Sequence, residues 1–227
     1  MVVKKVYFYP MKSIIFSVAL LSMAFNGLTQ SLSSADIIKK SIAFHDPESI
    51  WPTFQGKMNF SESRPDGSIR SSYAVFDLQE SAFEIYRADN YYFAIENDIF
   101  QLIEGELEEE RGRTMRDYYL YLWGLPMKLN DEGTKFGHSI PSNYQDKSTF
   151  KVEVIYEEDT WYFEIDQTTY QMLSYSFFKN ADPTHGERIE LNGLVTYKTL
   201  KIPKSRSWYQ LPEEKFLGTD LLDKIEP

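Results

Sequence analysis

The chain has 227 residues, no cysteine and a formal net charge of −10 at pH 7. From the absence of cysteine we expect neither a disulfide framework nor a lipid anchor, and the acidic balance disfavours nucleic acid and anionic membrane surfaces as partners. Aromatic residues make up 16% of the chain, which is typical of a large β-rich core or of an aromatic-lined cavity.

Residues 1–30 are predicted to be a signal peptide rather than part of the fold. Three lysines and no acid accompany an apolar run over residues 14–25, which is too short for a membrane span but fits a secretory signal. Residues 1–10 fit a start-site artefact, because Met11 makes the more natural start. Removing the thirty residues would change the net charge to −13. The remainder, 31–227, is expected to be one exported, soluble domain, periplasmic or extracellular and not membrane-spanning.

A short amphipathic helix is predicted over residues 31–44, and either of two adjacent serines can cap its N terminus. His45 and Asp46 follow this helix and could act as a base and its orienting acid. The alternative is that the helix dipole favours an imidazole at the C terminus while Asp46 lies in a turn, and we favour this structural interpretation.

Most of the remaining chain is predicted to form β-strands. Apolar and polar residues alternate over 54–61, and a hairpin returns through 69–78, so neighbouring strands should pair antiparallel as a meander. The same alternation recurs over 150–211. We count ten or eleven strands, with 130–147 as a polar loop and 216–225 as a C-terminal tail of some helical character.

The stretch over residues 116–129 is predicted to begin as the end of a helix. Its apolar residues recur at helical spacing and cover nearly all faces, which is typical of a helix buried on several sides. Gly124 and Pro126 then end the helix. We therefore predict a mainly β (α+β) fold, an incomplete antiparallel β-barrel or curved sheet with an N-terminal helix and this segment as a central helical plug.

Five short motifs make the sequence similar to a family of exported bacterial envelope proteins of unknown function. They match in order between about residues 34 and 222, and the resemblance implies no activity or catalytic residue. The motifs are HDP at 45–47, YLWGLPMKL at 121–129, DTWYF at 159–163, IPKSRSWY at 202–209 and FLGTD at 216–220.

The predicted order of elements also resembles the Lol-type lipoprotein carriers and related outer-membrane lipoprotein-sorting proteins. Those proteins are incomplete antiparallel barrels whose helices lie in the concave mouth and hold acyl chains against the sheet. The resemblance implies a lipid-binding cup in this chain.

The leading hypothesis is a non-enzymatic envelope protein that binds a lipid or other apolar ligand between sheet and plug, with no cofactor and no metal. Arg116 could hold a carboxylate or phosphate head group, or could simply pair with an acid. The candidate ligand-contacting residues are Tyr118, Tyr119, Tyr121, Trp123, Leu125 and Met127 on the plug, and Trp161, Phe163, Tyr175, Trp208 and Tyr209 on the sheet.

Two alternatives remain at this point. The plug could fill the barrel, leaving a structural or protein-interaction module that docks an envelope partner through an exposed strand edge or through the acidic face. A hydrolase is disfavoured because the chain has no G-x-S-x-G, no H-E-x-x-H and no cysteine nucleophile, so no catalytic residue is assigned.

A basic cluster stands out in so acidic a chain. Lys198, Lys204 and Arg206 share strand parity, so they are expected to form a positive stripe with Lys201 nearby. Such a stripe usually serves as a solubilising edge that prevents strand pairing. The more specific alternative is a site that binds a lipid head group or a partner protein.

Overall fold

The computed structural model describes residues 32–227, which form a twelve-stranded antiparallel sheet with two α-helices packed on its inner face. In chain order the elements are α1 (Ser34–His45), β1 (Gln55–Ser63), β2 (Ile69–Asp77), β3 (Ala82–Arg87), β4 (Tyr91–Glu96), β5 (Ile99–Gly105), α2 (Glu109–Trp123), β6 (Lys135–Tyr144), β7 (Lys147–Ile155), β8 (Asp159–Asp166), β9 (Met172–Lys179), β10 (Asp182–Tyr197), β11 (Leu200–Leu211) and β12 (Lys215–Glu226).

The sheet consists of two meanders joined at its centre. Its strand order is β5-β4-β3-β2-β1-β12-β11-β10-β9-β8-β7-β6, with every neighbouring pair antiparallel. The predicted meander and incomplete barrel are confirmed, because β5 and β6 are opposite edges of an open sheet. The junction is the pairing of β1 with β12, which brings the first and last strands of the described chain together.

Two segments that were predicted without strands belong to the sheet. Residues 216–225 lie in β12, where pairing with β1 and β11 overrides the weak local signal for a helix. Much of the predicted loop 130–147 is β6, whose polar composition fits an edge strand with solvent on one side. The dipeptide Asn192-Gly193, which is typical of a turn, lies instead inside β10, because this strand runs on to Tyr197.

The helix α1 begins at a capping box. The Ser33 side chain accepts from the Asp36 amide, and the Asp36 carboxylate accepts from the Ser33 amide. Ile37 and Ile38 are buried against the sheet, whereas Ala35 is exposed.

The helix α2 separates two hydrophobic clusters, which confirms the predicted helical plug. Met115, Tyr119 and Trp123, spaced four residues apart, pack with the inner residues of β1 to β4. Leu122 and the following turn pack instead with β7 to β10. Tyr118 was predicted on the buried face, but it lies at the margin of that face and is 47% exposed.

Within residues 32–227, no helix is both long and apolar enough to cross a membrane. The predicted signal peptide at 1–30 lies outside the described residues.

Candidate functional site

At one end of the sheet the inner face changes from apolar to charged. In β1 the inward residues Met58 and Phe60 are followed by Glu62, and in β3 Ile85 is followed by Arg87. The same change occurs on the other side of the junction. We call this region the charged end, and it consists of Glu62 on β1, Arg87 on β3, Glu187 on β10, Arg206 on β11 and Asp220 on β12.

The strand register places these side chains in a row. Arg70 on β2 lies opposite Glu62, Glu62 lies opposite Asp220, and Asp220 lies opposite Arg206. Directly opposed residues on one face of a sheet lie about 5 Å apart, close enough for their charges to interact strongly in a partly buried setting. The row therefore crosses four neighbouring strands under α2.

Glu62 is the carboxylate of the charged end with the most partners, and it is only 2% exposed. It accepts from Ser72 Oγ at 2.8 Å and Tyr119 Oη at 3.3 Å, and it pairs with Arg64 at 3.2 Å, Arg87 at 3.3 Å and Arg70. Burial alone would raise the pKa of Glu62, but Arg87 and Arg70 lower it below its ordinary value. Glu62 is therefore ionised at neutral pH.

Asp220 and Glu187 are much less compensated than Glu62. Asp220 accepts from Trp208 Nε1 at 2.8 Å, while burial raises its pKa more strongly than this bond lowers it. Burial also raises the pKa of Glu187, which has no side-chain partner among residues 32–227. Both carboxylates line the first of the clefts described below and have fewer partners than Glu62.

Arg206 is a buried guanidinium that ties α2 to the sheet. It is 1% exposed and donates to the backbone oxygens of Pro203 at 3.0 Å and Leu122 at 3.1 Å. Its Cζ lies 3.6 Å from the centroid of the Trp123 ring. Burial lowers the pKa of Arg206, opposed by Tyr175 and Asp220. Its Nε is buried with no hydrogen-bond partner in the described part of the chain.

Two adjoining clefts lie between α2 and the charged end, with volumes of about 230 Å³ and 410 Å³. The larger volume falls within the range of about 300–1,000 Å³ that is usual for small-molecule sites. The residues of the charged end line the first cleft together with Leu217 and Arg64, and Phe177 and Arg111 line the second. Both clefts share Arg87, Tyr118, Tyr119, Glu187 and Trp208.

Four of the residues predicted from sequence meet around these clefts. Tyr118 stacks on Trp208 with ring centroids 6.0 Å apart, and both line the two clefts. Tyr119 projects its hydroxyl into the charged end, where it accepts from Arg87 at 3.1 Å. Trp123 lines the first cleft above Arg206. Their role in binding a ligand remains a prediction.

Six more predicted residues lie away from the clefts. Leu125 and Met127 are buried in different hydrophobic clusters. The other four form one aromatic group on the far flank of α2, in which Tyr121 packs edge-on against Trp161 and Trp161 stacks on its neighbours. The members of this group are Tyr121, Trp161, Phe163 and Tyr175.

Arg116 and Tyr209 line neither cleft. Arg116 pairs at the outer side of α2 with Asp117 at 2.8 Å and Asp98 at 3.1 Å, which agrees with the simpler of its two predicted roles. Tyr209 follows the inward Trp208, so strand alternation turns it outward, where it contacts Phe216 and Arg188.

His45 has structural contacts. It is fully buried, with Nδ1 2.6 Å from the Lys201 oxygen on β11 and Nε2 accepting from the Met172 amide on β9, so it ties α1 to the sheet. Asp46 accepts from two backbone amides in the turn after α1. Within residues 32–227, no group of histidine, cysteine and acidic side chains is arranged to hold a metal ion.

The basic stripe predicted on β11 was wrong in one respect. Arg206 is buried on the inner face, whereas Lys204 is exposed and Lys198 lies in the turn before the strand. Sequence reasoning missed the rest of the charged end as well. The available signal was a charge at an inward position of an alternating strand, such as Glu62 two residues after Phe60.

Solved structures share this fold at low sequence identity. A LolA superfamily protein from Nitrosomonas europaea matches with a TM-score of 0.54 and 7% identity, over 86% of this chain and 94% of that chain. A protein provisionally named as an outer membrane lipoprotein-sorting protein domain from Vibrio parahaemolyticus matches with a TM-score of 0.53 and 8% identity, over 86% and 91%. The predicted Lol-carrier-like architecture is therefore confirmed.

A third structure, a DUF1329 family protein from Desulfovibrio piger, has a TM-score of 0.49 and 7% identity, over 86% of this chain and 92% of that chain. No curated protein matches the sequence. One family model, described as a family of unknown function, covers residues 97–226, from the start of β5 to the end of β12. The chain belongs to this family, DUF6503.

Proposed function

We propose that this protein is a non-enzymatic, exported envelope protein that binds a lipid or another amphipathic molecule in the clefts between α2 and the sheet. The observation that carries the proposal is the pair of adjoining clefts, which join aromatic walls to a charged floor. A site with apolar walls and a few convergent polar groups is the usual form of a small-molecule site.

The walls of the clefts suit acyl chains. Tyr118, Trp208 and Phe177 offer ring surfaces, and Leu217 and Met115 add aliphatic surface. Each methylene group that leaves water contributes about 0.8 kcal/mol to binding. The LolA-like fold, with a neighbour whose name refers to lipoprotein sorting, supports a lipid as the ligand.

Longer chains need more room than the clefts provide, because α2 fills the middle of the inner face. The ring centroids of Trp123 and Phe60 are 4.5 Å apart, and those of Tyr119 and Phe60 are 5.8 Å apart. A ligand with long chains would therefore bind with a shift of α2 away from β1, exposing the apolar surface that this helix now covers.

Uptake of a fluorescent fatty acid tests the proposal. The wild-type protein should show saturable uptake. Leu217→Trp should weaken it at least about tenfold, because the larger ring displaces two or more methylene groups from the first cleft. Ile140→Trp, on the exposed side of the edge strand β6, is the matched control and should bind like wild type.

Circular dichroism and thermal unfolding of each variant establish that the fold is kept. A wild-type protein that takes up no fatty acid would contradict the proposal. Equal uptake by wild type and a folded Leu217→Trp variant would move the ligand away from these clefts.

A second candidate function is docking of an envelope protein at β5. This edge strand exposes Ile99, Leu102 and Ile103, and its outer side pairs with no strand among residues 32–227, so it suits an added strand. Cross-linking in the host followed by mass spectrometry tests this function. A defined partner that is lost in an Ile99→Lys, Ile103→Lys double variant would support it, and an unchanged cross-link pattern would exclude β5 as the docking strand.

A further inference from the structure

The charges around the first cleft are divided between its two sides. On the side of β1 to β3, Arg64, Arg70 and Arg87 surround the single carboxylate of Glu62. That side therefore carries an excess of positive charge. On the side of β10 to β12, the acids Glu187 and Asp220 stand against one cation, Arg206.

The positive side has donors left for an anion. The Nε of Arg87, which lines the first cleft, is buried and has no hydrogen-bond partner among residues 32–227. Arg64, whose side chain is 41% exposed, lines the first cleft, and the exposed Arg111 lines the second. Guanidinium groups bind phosphate oxygens through paired hydrogen bonds, so this side suits a phosphate.

The negative side has the features of an ammonium site. The guanidinium of Arg206 is directed to two backbone oxygens and to the Trp123 ring, so no ion pair joins it to Asp220. Glu187 has no side-chain partner within the described range. The stacked rings of Tyr118 and Trp208 stand beside these acids. Aromatic faces and carboxylates together stabilise an organic cation.

We propose that the first cleft binds a zwitterionic head group, with its phosphate toward Arg64 and Arg87 and its ammonium group between Glu187 and Asp220. This inference rests on the proposed function and specifies its ligand as a phospholipid that carries a primary amine. The same phosphate and ammonium chemistry occurs in soluble phosphate esters of amino alcohols, and the experiment separates the two sources.

Isothermal titration calorimetry with short-chain lipids below their micelle concentration tests this head-group preference. The probes are dihexanoyl phosphatidylethanolamine, dihexanoyl phosphatidylglycerol, which has the phosphate without the amine, and glycerophosphoethanolamine, which has the head group without acyl chains. Wild type should bind the ethanolamine lipid about tenfold tighter than the glycerol lipid, since it alone gains a charge-assisted contact.

Two variants separate the sides of the cleft. Glu187→Gln should weaken the ethanolamine lipid about tenfold and leave the glycerol lipid unchanged. Arg64→Gln should weaken both lipids by similar factors, because both carry the phosphate. Glu190→Gln is the control, because Glu190 lies on the outer face of the same strand and pairs with Arg188. It should bind like wild type.

The outcomes distinguish the two claims. Equal affinity of wild type for both lipids, unchanged in Glu187→Gln, would overturn the head-group inference and leave lipid binding intact. Failure of both lipids and of fluorescent fatty acid to bind would overturn the proposed function itself. Glycerophosphoethanolamine binding as tightly as the ethanolamine lipid would support the head-group site and overturn a membrane lipid as its source.

Discussion

Arg206 and Trp123 form the contact that fixes the end of α2 on the sheet. The guanidinium lies under the indole ring at 3.6 Å and donates to the oxygen of Leu122 in the last helical turn. A cation is favoured at this position by the helix dipole, and the backbone oxygens at a helix C terminus need donors. The wall of the proposed binding site therefore depends on one buried side chain.

Replacing Arg206 should destabilise the fold strongly. Arg206→Met removes a buried cation that donates to the Pro203 and Leu122 oxygens and packs on Trp123, and we expect a loss of about 3–5 kcal/mol in the free energy of unfolding. Arg206→Lys should recover little, because one ammonium group cannot reach both oxygens and stack on Trp123. Urea unfolding measures both variants.

Arg188→Met is the matched control for this pair. Arg188 lies on the outer face of the neighbouring strand and pairs with Glu190 and Glu214. Its loss should change the free energy of unfolding by no more than about 1 kcal/mol. A loss in Arg206→Met as small as that in the control would contradict the anchoring role.

Glu62 should stabilise the fold by pairing with the arginines that surround it. Glu62→Gln removes the one charge that Arg70 and Arg87 share, and we expect it to cost about 3 kcal/mol of unfolding free energy at pH 7. The pKa of Glu62 is lowered in the folded state, so this contribution is complete above the unfolded value of 4.5 and declines as pH falls through the folded pKa.

Urea titrations of wild type and Glu62→Gln at pH 7 and at pH 3 measure this difference. Glu84→Gln, which alters an outward carboxylate that accepts from Tyr92, serves as the control. A stability gap that is the same at both pH values would show that the charge of Glu62 is not the stabilising element.

Gly112 should be required for the packing of α2 on β5. A Cβ atom at this position would lie 2.4 Å from Cε2 of Phe100. Gly112→Ala should therefore lower the thermal unfolding temperature, although alanine ordinarily stabilises a helix by about 1 kcal/mol over glycine.

A second substitution tests this explanation directly. Adding Phe100→Leu to Gly112→Ala should recover part of the lost stability, because the smaller side chain removes the clash. Thr114→Ala, on the exposed side of the same helix, should be neutral or stabilising. Stabilisation by Gly112→Ala alone would mean that α2 does not pack closely on Phe100.

His45 should make the fold sensitive to mild acid. Burial lowers the pKa of His45 from 6.5 to about 4, so the unfolded chain binds this proton more readily than the folded protein. Stability should thus fall as pH drops from about 6.5 toward 4, by about 1–2 kcal/mol between pH 7 and pH 5.

The free energy of unfolding of wild type and His45→Gln at pH 7 and pH 5 measures this effect. The variant should be less stable at pH 7, because it loses the contacts to Lys201 and Met172, but its stability should change less with pH. Equal pH dependence in the two proteins would place the titrating group elsewhere.

Local patterns predict much of this fold. The alternation in β1 and the helical spacing through Trp123 are properties of neighbouring residues, so both elements follow from the sequence. The pairing of β1 with β12 joins Lys57 to Glu226, and nothing in either segment signals so distant a partner. For the same reason, the local sequence of residues 216–225 predicts a tail and not the strand β12.

The candidate site likewise combines residues that the sequence predicts with residues that it does not. Large aromatic residues such as Tyr118 and Trp208 are candidates for a binding site by residue type alone, and both line the clefts. The charged end arises from the register of five strands, which brings Glu62, Asp220 and Arg206 into one row. Each of these charges looks like an ordinary surface residue within its own segment.

Native mass spectrometry of the protein purified from its own host, followed by organic extraction, tests the central claim most directly. Lipid binding between α2 and the sheet predicts a reproducible added mass that passes into the organic phase and identifies the ligand. An unmodified mass, together with no uptake of a fluorescent fatty acid by the purified protein, would contradict it.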